Sequence, residues 1–218
     1  YAIDCALAAH DRGLKTVAVT AGYITPQARH DFFAHMDAAN VDLKAFTQTF
    51  YQNICFANLA PVLDTLIWLK HETEVWFEVT TLLIPGQNDS VDEVARLCDW
   101  FVTNLGAEVP LHFTAFHPDF KMMNVPHTPP ATLHRARQQA LAAGLHHVYT
   151  GNVHDLAGQS TYCPACGGIV IERNWFELGR WHLTPTGHCQ ACGTMIPGKF
   201  DPRPGQWGAR RLRVSIPS

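Results

Sequence analysis

The run Ala38-Ala39-Asn40-Val41-Asp42-Leu43-Lys44 decides how the chain is read. Small residues lead into a short apolar step that ends in opposite charges two positions apart. Along a strand, residues i and i+2 project to the same side, so Asp42 and Lys44 point together from its carboxyl end. Where strands alternate with helices, that end is the one at which ligands bind. The bland reading of the pair is an exposed salt bridge, which contributes little. What the other strand ends bring to the same rim weighs between the two.

Outward from this run, strands and helices alternate. Upstream, Ile3, Leu7 and Ala8 mark one face of a helix over 1–12, stopped by Gly13. A β-branched strand over 16–20 ends in Ala21-Gly22, and Thr25-Pro26 caps a helix reaching about Met36. Downstream, a short helical segment over 48–54 precedes a helix over 61–71 with Val62, Leu66 and Leu69 on one face. A strand over 75–83 runs into the turn Ile84-Pro85-Gly86-Gln87-Asn88-Asp89. Ser90 caps the next helix, to about Asn104, with Glu93 at the capping-box position. A strand over 111–116 ends at His117-Pro118, a helix spans 128–143 with Pro129 and Pro130 in its first turn, and a last strand covers 147–150.

Strands therefore start near 16, 38, 75, 111 and 147. This regular alternation implies a parallel sheet with helices outside, either an open doubly wound sheet or part of a β/α barrel. The units are too few to close an eight-stranded barrel, and the chain opens at Tyr1 inside a helical pattern. Both features are expected of a piece of a longer protein. Thr20-Ala21-Gly22, Thr80-Thr81 and His117 are expected on the rim that carries Asp42 and Lys44. Glu78, inside the third strand, points either into a barrel or toward a covering partner.

After Gly151 glycine, proline, cysteine and tryptophan become frequent and helical periodicity fades. The expected organisation is an α/β domain over 1–160 and a cysteine-rich module with a tail over 161–218. Within the module, Cys163-Pro164-Ala165-Cys166-Gly167 and Cys189-Gln190-Ala191-Cys192-Gly193 are two Cys-x-x-Cys knuckles. Four thiolates suit tetrahedral Zn²⁺, with iron the alternative, and would staple a module poor in apolar residues. His182 and His188 are read as surface residues beside a complete quartet. Cys5, Cys55 and Cys98 lie singly in helix-like contexts.

Of the 218 residues 47% are hydrophobic and 16% charged, a globular composition, and the net charge of -3 argues against a general nucleic-acid surface. No apolar run approaches the ~20 residues that span a bilayer, so no membrane partner is expected and the cytoplasm is the default. Cysteine paired for metal suits a reducing compartment. Lys121-Met122-Met123 reads as a surface loop, and Arg210-Arg211-Leu212-Arg213 as a solvated basic tail.

These residues resemble the radical S-adenosylmethionine (SAM) enzymes, in the branch of the pyruvate formate-lyase activating enzymes. Thr20-Ala21-Gly22, Asp42-Leu43-Lys44, Ile84 to Asp89 and Phe116-His117-Pro118 are similar to that branch's successive strand ends. More narrowly, Ala39 to Phe46, Phe116 to Met122, Gly151-Asn152-Val153 and Thr161 to Gly167 resemble the radical SAM enzyme of the AmmeMemoRadiSam system.

The resemblance implies the carboxy-terminal strands of a partial (β/α)6 radical SAM barrel followed by a small zinc-ribbon-like module. It also implies a [4Fe-4S] cluster that binds SAM and cleaves it reductively to a 5′-deoxyadenosyl radical, an electron donor, and a substrate that could be a protein. Thr20, Gly22, Asp42, Lys44 and His117 would line the SAM site, with Lys44 suited to the SAM carboxylate. Ala21 stands where that branch has asparagine, and the Cys-x3-Cys-x2-Cys motif and Gly-Gly-Glu segment are missing from the 218 residues. The cluster's ligands are therefore expected outside this chain, which alone would be inactive. The alternatives are a non-catalytic zinc-ribbon adaptor on an α/β scaffold and a different enzyme on an ordinary β/α barrel; the latter lacks a glycine-rich phosphate loop.

Overall fold

The computed structural model describes residues 1–205 and Gly208. They form two compact units, one of residues 1–153 and one beginning at His154. The split falls ahead of the position expected from composition, because a short helix and strand before Cys163 fold with the cysteine module.

The first unit runs α1 (Ala2–His10), β1 (Val17–Thr20), α2 (Pro26–Phe33), β2 (Ala38–Asp42), α3 (Gln48–Phe50), α4 (Ala60–Glu72), β3 (Trp76–Leu83), α5 (Val91–Leu105), β4 (Leu111–Ala115), α6 (Pro130–Ala142) and β5 (Val148–Gly151). A π-helical turn, Tyr51–Cys55, continues α3, and a 3-10 turn, Phe120–Met122, precedes α6. Thr25 caps α2 through its hydroxyl, and Ser90 caps α5 by accepting from the Glu93 amide at 3.2 Å.

The strands pair in the order β1-β2-β3-β4-β5, every pair parallel. Consecutive parallel neighbours joined by right-handed crossovers put every connecting helix on the same face. That is the winding of a β/α barrel wall, and it removes the doubly wound alternative, whose helices occupy both faces. The core follows from it: Phe33, Leu66, Leu69, Leu97, Phe101, Leu133 and Ala136 of the helices pack with Val41, Val79, Leu83, Leu111 and Phe113 of the strands.

Alternation along each strand sorts side chains between this covered face and an open one. In β3, Phe77, Val79, Thr81 and Leu83 are buried while Trp76, Glu78, Thr80 and Leu82 are half-buried. Asn40 and Asp42 of β2, His112 and Thr114 of β4 and Tyr149 of β5 share the open face.

The second unit contains α7 (Leu156–Gln159) and an antiparallel sheet of β6 (Thr161–Tyr162), β7 (Ile169–Asn174) and β8 (Glu177–Trp181) in that order. Its buried core is small: Val170, Ile171, Leu183 and Ile196 with Cys163 and Cys189. The basic tail Arg210 to Arg213 lies outside the described residues.

Candidate functional site

The carboxyl end of the sheet is built around the segment just past β2. The Lys44 ammonium is ion-paired with the Asp42 carboxylate, both side chains remaining partly exposed. The strand ends at Asp42; the Leu43 amide still donates to the Thr80 carbonyl at 3.0 Å, and the next polar groups of the backbone bond to side chains. The Lys44 amide donates to the Tyr51 hydroxyl at 3.1 Å, and the Lys44 carbonyl accepts from Asn88 Nδ2 at 2.7 Å. The Leu43 carbonyl accepts from the Thr81 hydroxyl at 2.9 Å, and the Phe46 amide donates to Glu93 Oε1 at 2.7 Å.

Two details depart from the sequence expectation. Thr81 does not face the opening with Thr80. It is buried on the helix side, and only Thr80 is on the open face, donating to Asn40 Oδ1 at 3.0 Å. Glu93 does not close a capping box on Ser90, because its buried carboxylate reaches across to Phe46 instead. Desolvation raises the pKa of Glu93, against the Phe46 hydrogen bond that lowers it, and burial raises the Tyr51 phenol above its ordinary value.

The other expected rim residues take separate places. Thr20 Oγ1 accepts from the Gly22 amide at 3.2 Å. Gly22, at φ +66°, lies against β2: a Cβ there would sit 2.8 Å from Val41 Cγ1. Its bareness thus serves close packing. His117 is exposed with its ring edge-on to His127 at 4.4 Å. Thr128, expected inside α6, precedes it; its buried hydroxyl accepts from the Phe116 amide at 2.8 Å and donates to the Leu83 carbonyl, tying the ends of β3 and β4 together.

The open face also holds a cluster that sequence reading left undecided. Glu78 turns to this face, where its Oε2 lies 2.7 Å from His112 Nε2, and the His112 ring stacks on Tyr149 with centroids 4.9 Å apart. The period of two through β3 and β4 was the available signal. Near the loop after Gly22, a cavity of about 300 Å³ is lined by Tyr23, Ile24, Thr25, Pro26, Arg29, Pro61 and Asp64.

In the second unit the four cysteines converge. Their sulfurs lie within 4.8 Å of one another, with Cys163 to Cys192 at 3.5 Å and Cys166 to Cys189 at 3.8 Å. A tetrahedron with metal–sulfur distances of ~2.3 Å has edges of ~3.8 Å, whereas a disulfide needs ~2.05 Å. The donor set and spacing fit a tetrahedral thiolate metal. Both knuckles fold alike: the amides of Gly167 and Gly193 donate to the carbonyls of Cys163 and Cys189, each at 2.9 Å. Gly167 and Gly193 adopt φ of +70° and +77°, a conformation costly for a residue with a Cβ. The Thr194 hydroxyl, 3.3 Å from Cys192 Sγ, favours the thiolate and holds that thiol down to about 6.

The remaining cysteines occupy three different elements. Cys5 is exposed on α1, Cys55 half-buried at the end of the π-turn, and Cys98 buried in α5, where desolvation pushes its thiol up to about 12. Among the described residues, the 163–192 quartet is the one group of three or more histidine, cysteine or acidic side chains close enough to hold a metal.

No family model matches the chain. Over 197 residues it is 39% identical to the uncharacterized protein MJ0808 of Methanocaldococcus jannaschii, a match that covers 90% of this chain and 58% of the relative. The chain thus spans less than two thirds of the length of that relative. Among solved structures, a domain of pyruvate-formate lyase-activating enzyme from Bacteroides vulgatus superposes with a TM-score of 0.61 and 14% identity, over 69% of this chain and 89% of that one. That likeness identifies the fold. A radical SAM methyltransferase from Sphaerobacter thermophilus, at a TM-score of 0.45 and 15% identity over 61% of this chain and 37% of its own, adds nothing to it.

Proposed function

We propose that the chain is part of a radical SAM enzyme, close to the AmmeMemoRadiSam branch, and that its open sheet face holds SAM. The single observation that carries this reading is the Asp42–Lys44 pair at the carboxyl end of β2, on a sheet wound as a barrel wall and shared in fold with a domain of a pyruvate-formate lyase-activating enzyme. An ammonium beside a carboxylate at a strand end can take the SAM carboxylate through Lys44 and an amino or hydroxyl group through Asp42. Thr20, Gly22 and His117 are proposed at the edge of the same site.

The described residues do not fit the [4Fe-4S] cluster this chemistry requires. Cys5, Cys55 and Cys98 lie on separate elements and form no three-thiolate set. In our reading the cluster's ligands are supplied by residues outside these 218, the 218-residue chain by itself is inactive, and an electron donor and a substrate, which a protein could be, act on the intact enzyme. The Cys163, Cys166, Cys189 and Cys192 site is proposed as structural zinc, with iron as the outcome that would change the assignment. Reductive SAM cleavage with an unpaired electron would be the cluster's chemistry, while this chain's residues bind and orient SAM.

The test is anaerobic reconstitution of the intact protein with iron and sulfide, then incubation with SAM and dithionite. Formation of 5′-deoxyadenosine, together with three upstream cysteines spaced Cys-x3-Cys-x2-Cys, is the expected result. A protein that takes up no cluster and makes none of the nucleoside overturns it in favour of the zinc-ribbon adaptor.

A further inference from the structure

Lys44 lies beyond the last ladder residue of β2, where a loop would ordinarily be loose, and yet its backbone is held from several sides. Tyr51 of the π-turn takes the Lys44 amide, Asn88 of the turn after β3 takes the Lys44 carbonyl, Thr81 of β3 takes the Leu43 carbonyl and Glu93 of α5 takes the Phe46 amide. Asn88 is the centre of this arrangement. Its Nδ2 donates to the carbonyls of Lys44 at 2.7 Å and Leu82 at 2.9 Å, while Oδ1 accepts from the Ile84 amide at 2.7 Å. A reversed amide would set oxygen against two carbonyls and NH₂ against an N–H, so the neighbours fix one orientation. With 2% of its surface exposed, water has little room to replace these bonds.

We propose that Asn88 is a positioning residue for ligand binding: it locks the Lys44 backbone to the end of β3 so that the ammonium is presented to an anionic ligand group in one place. The physical ground is that lysine's long stem is flexible, and an anion captured by an unanchored lysine forfeits affinity to ordering it. Anchoring the backbone on both sides of Cα leaves only the side chain to order. The partner side chains, two acceptors and two donors, are spread over the π-turn, β3, the turn after it and α5, so the clamp also couples Lys44 to elements that contribute no charge to the opening. This inference rests on the reading of Asp42 and Lys44 as the SAM carboxylate and amine site, and its test has a readout independent of SAM.

Asn88→Asp is the decisive variant, because it keeps shape and the acceptor for Ile84 while losing both donated bonds. Leu105→Ala, in a fully buried position at the far end of α5, serves as a control of matched destabilisation. In the intact protein, SAM affinity by calorimetry is expected to fall at least tenfold in Asn88→Asp and stay within twofold of wild type in Leu105→Ala at a comparable Tm loss. Amide exchange should accelerate locally at Lys44 and Phe46 in the first variant and not in the second. Should Asn88→Asp not fold, Tyr51→Phe removes the other anchor, with a severalfold loss of SAM affinity and faster exchange at Lys44 expected. Wild-type SAM affinity and unchanged exchange at Lys44 in the folded variant overturn the proposal, as does an equal loss in Leu105→Ala. A wild-type protein that does not bind SAM sinks the parent reading instead, and the exchange pattern then decides on the clamp by itself.

Discussion

Asp42 and Lys44 neutralise one another at the rim, and a partly exposed ion pair of this kind stabilises a fold by at most about 1 kcal/mol. Stability is therefore a poor reason for the pair and ligand binding a better one, which separates two measurements. Lys44→Gln is expected to move the Tm by no more than about 4 °C and to weaken SAM binding at least tenfold in calorimetry, while Lys121→Gln, on the exposed 3-10 turn, leaves binding unchanged. His147 shows the opposite balance. It is buried at 3% exposure with neither ring nitrogen hydrogen-bonded, and desolvation pulls its pKa from 6.5 to about 4. Because the folded form binds the proton less readily than the unfolded chain, stability is complete above pH 6.5 and is lost as pH falls toward 4, by up to about 3 kcal/mol. His147→Leu is expected to flatten the fall in urea midpoint between pH 7 and 4.5. An unaltered slope would mean that the ring is charged or hydrated in the folded protein.

At the scale of elements, β3 demonstrates how one strand serves two purposes. Its buried side chains Phe77, Val79, Thr81 and Leu83 join the helices, and its half-buried ones, Glu78 and Thr80, meet His112 and Asn40 on the open face. The adjacent Thr80 and Thr81 should then respond differently to the same change. Thr81→Val strands the Leu43 carbonyl in the core and is expected to cost about 1–3 kcal/mol in denaturant unfolding. Thr80→Val, half-exposed, should cost under about 0.5 kcal/mol; equal losses would show that β3 does not sit in this register. Caps and strand runs at this scale were legible: Thr25 and Ser90 carry the expected cap bonds, and the strands lie where β-branched and aromatic runs place them. Glu93 was not, since a carboxylate in a helix's first turn can reach its own N-cap amide or a neighbouring loop, and only packing chooses Phe46.

For the whole molecule, the second unit buries too few apolar side chains to be expected to hold without its cysteine site. A tight chelator is expected to remove about one metal per chain and to abolish amide protection over β6, β7 and β8, leaving β2 to β5 protected. Elemental analysis and exchange mass spectrometry check both, and loss of protection across the first unit as well would show that the two do not unfold independently. The sequence by itself determined the alternation of strands and helices, the two Cys-x-x-Cys-Gly knuckles and the Asp42–Lys44 pair, because periodicity, caps and ligand spacing are local properties of the chain. Only the tertiary structure decided the consecutive strand order, the face taken by Glu78, and the convergence of Tyr51, Thr81, Asn88 and Glu93 on residues 43–46. These are contacts between segments about seven to forty-seven residues apart. Their energy lies in burying polar groups against one another, which no local pattern encodes.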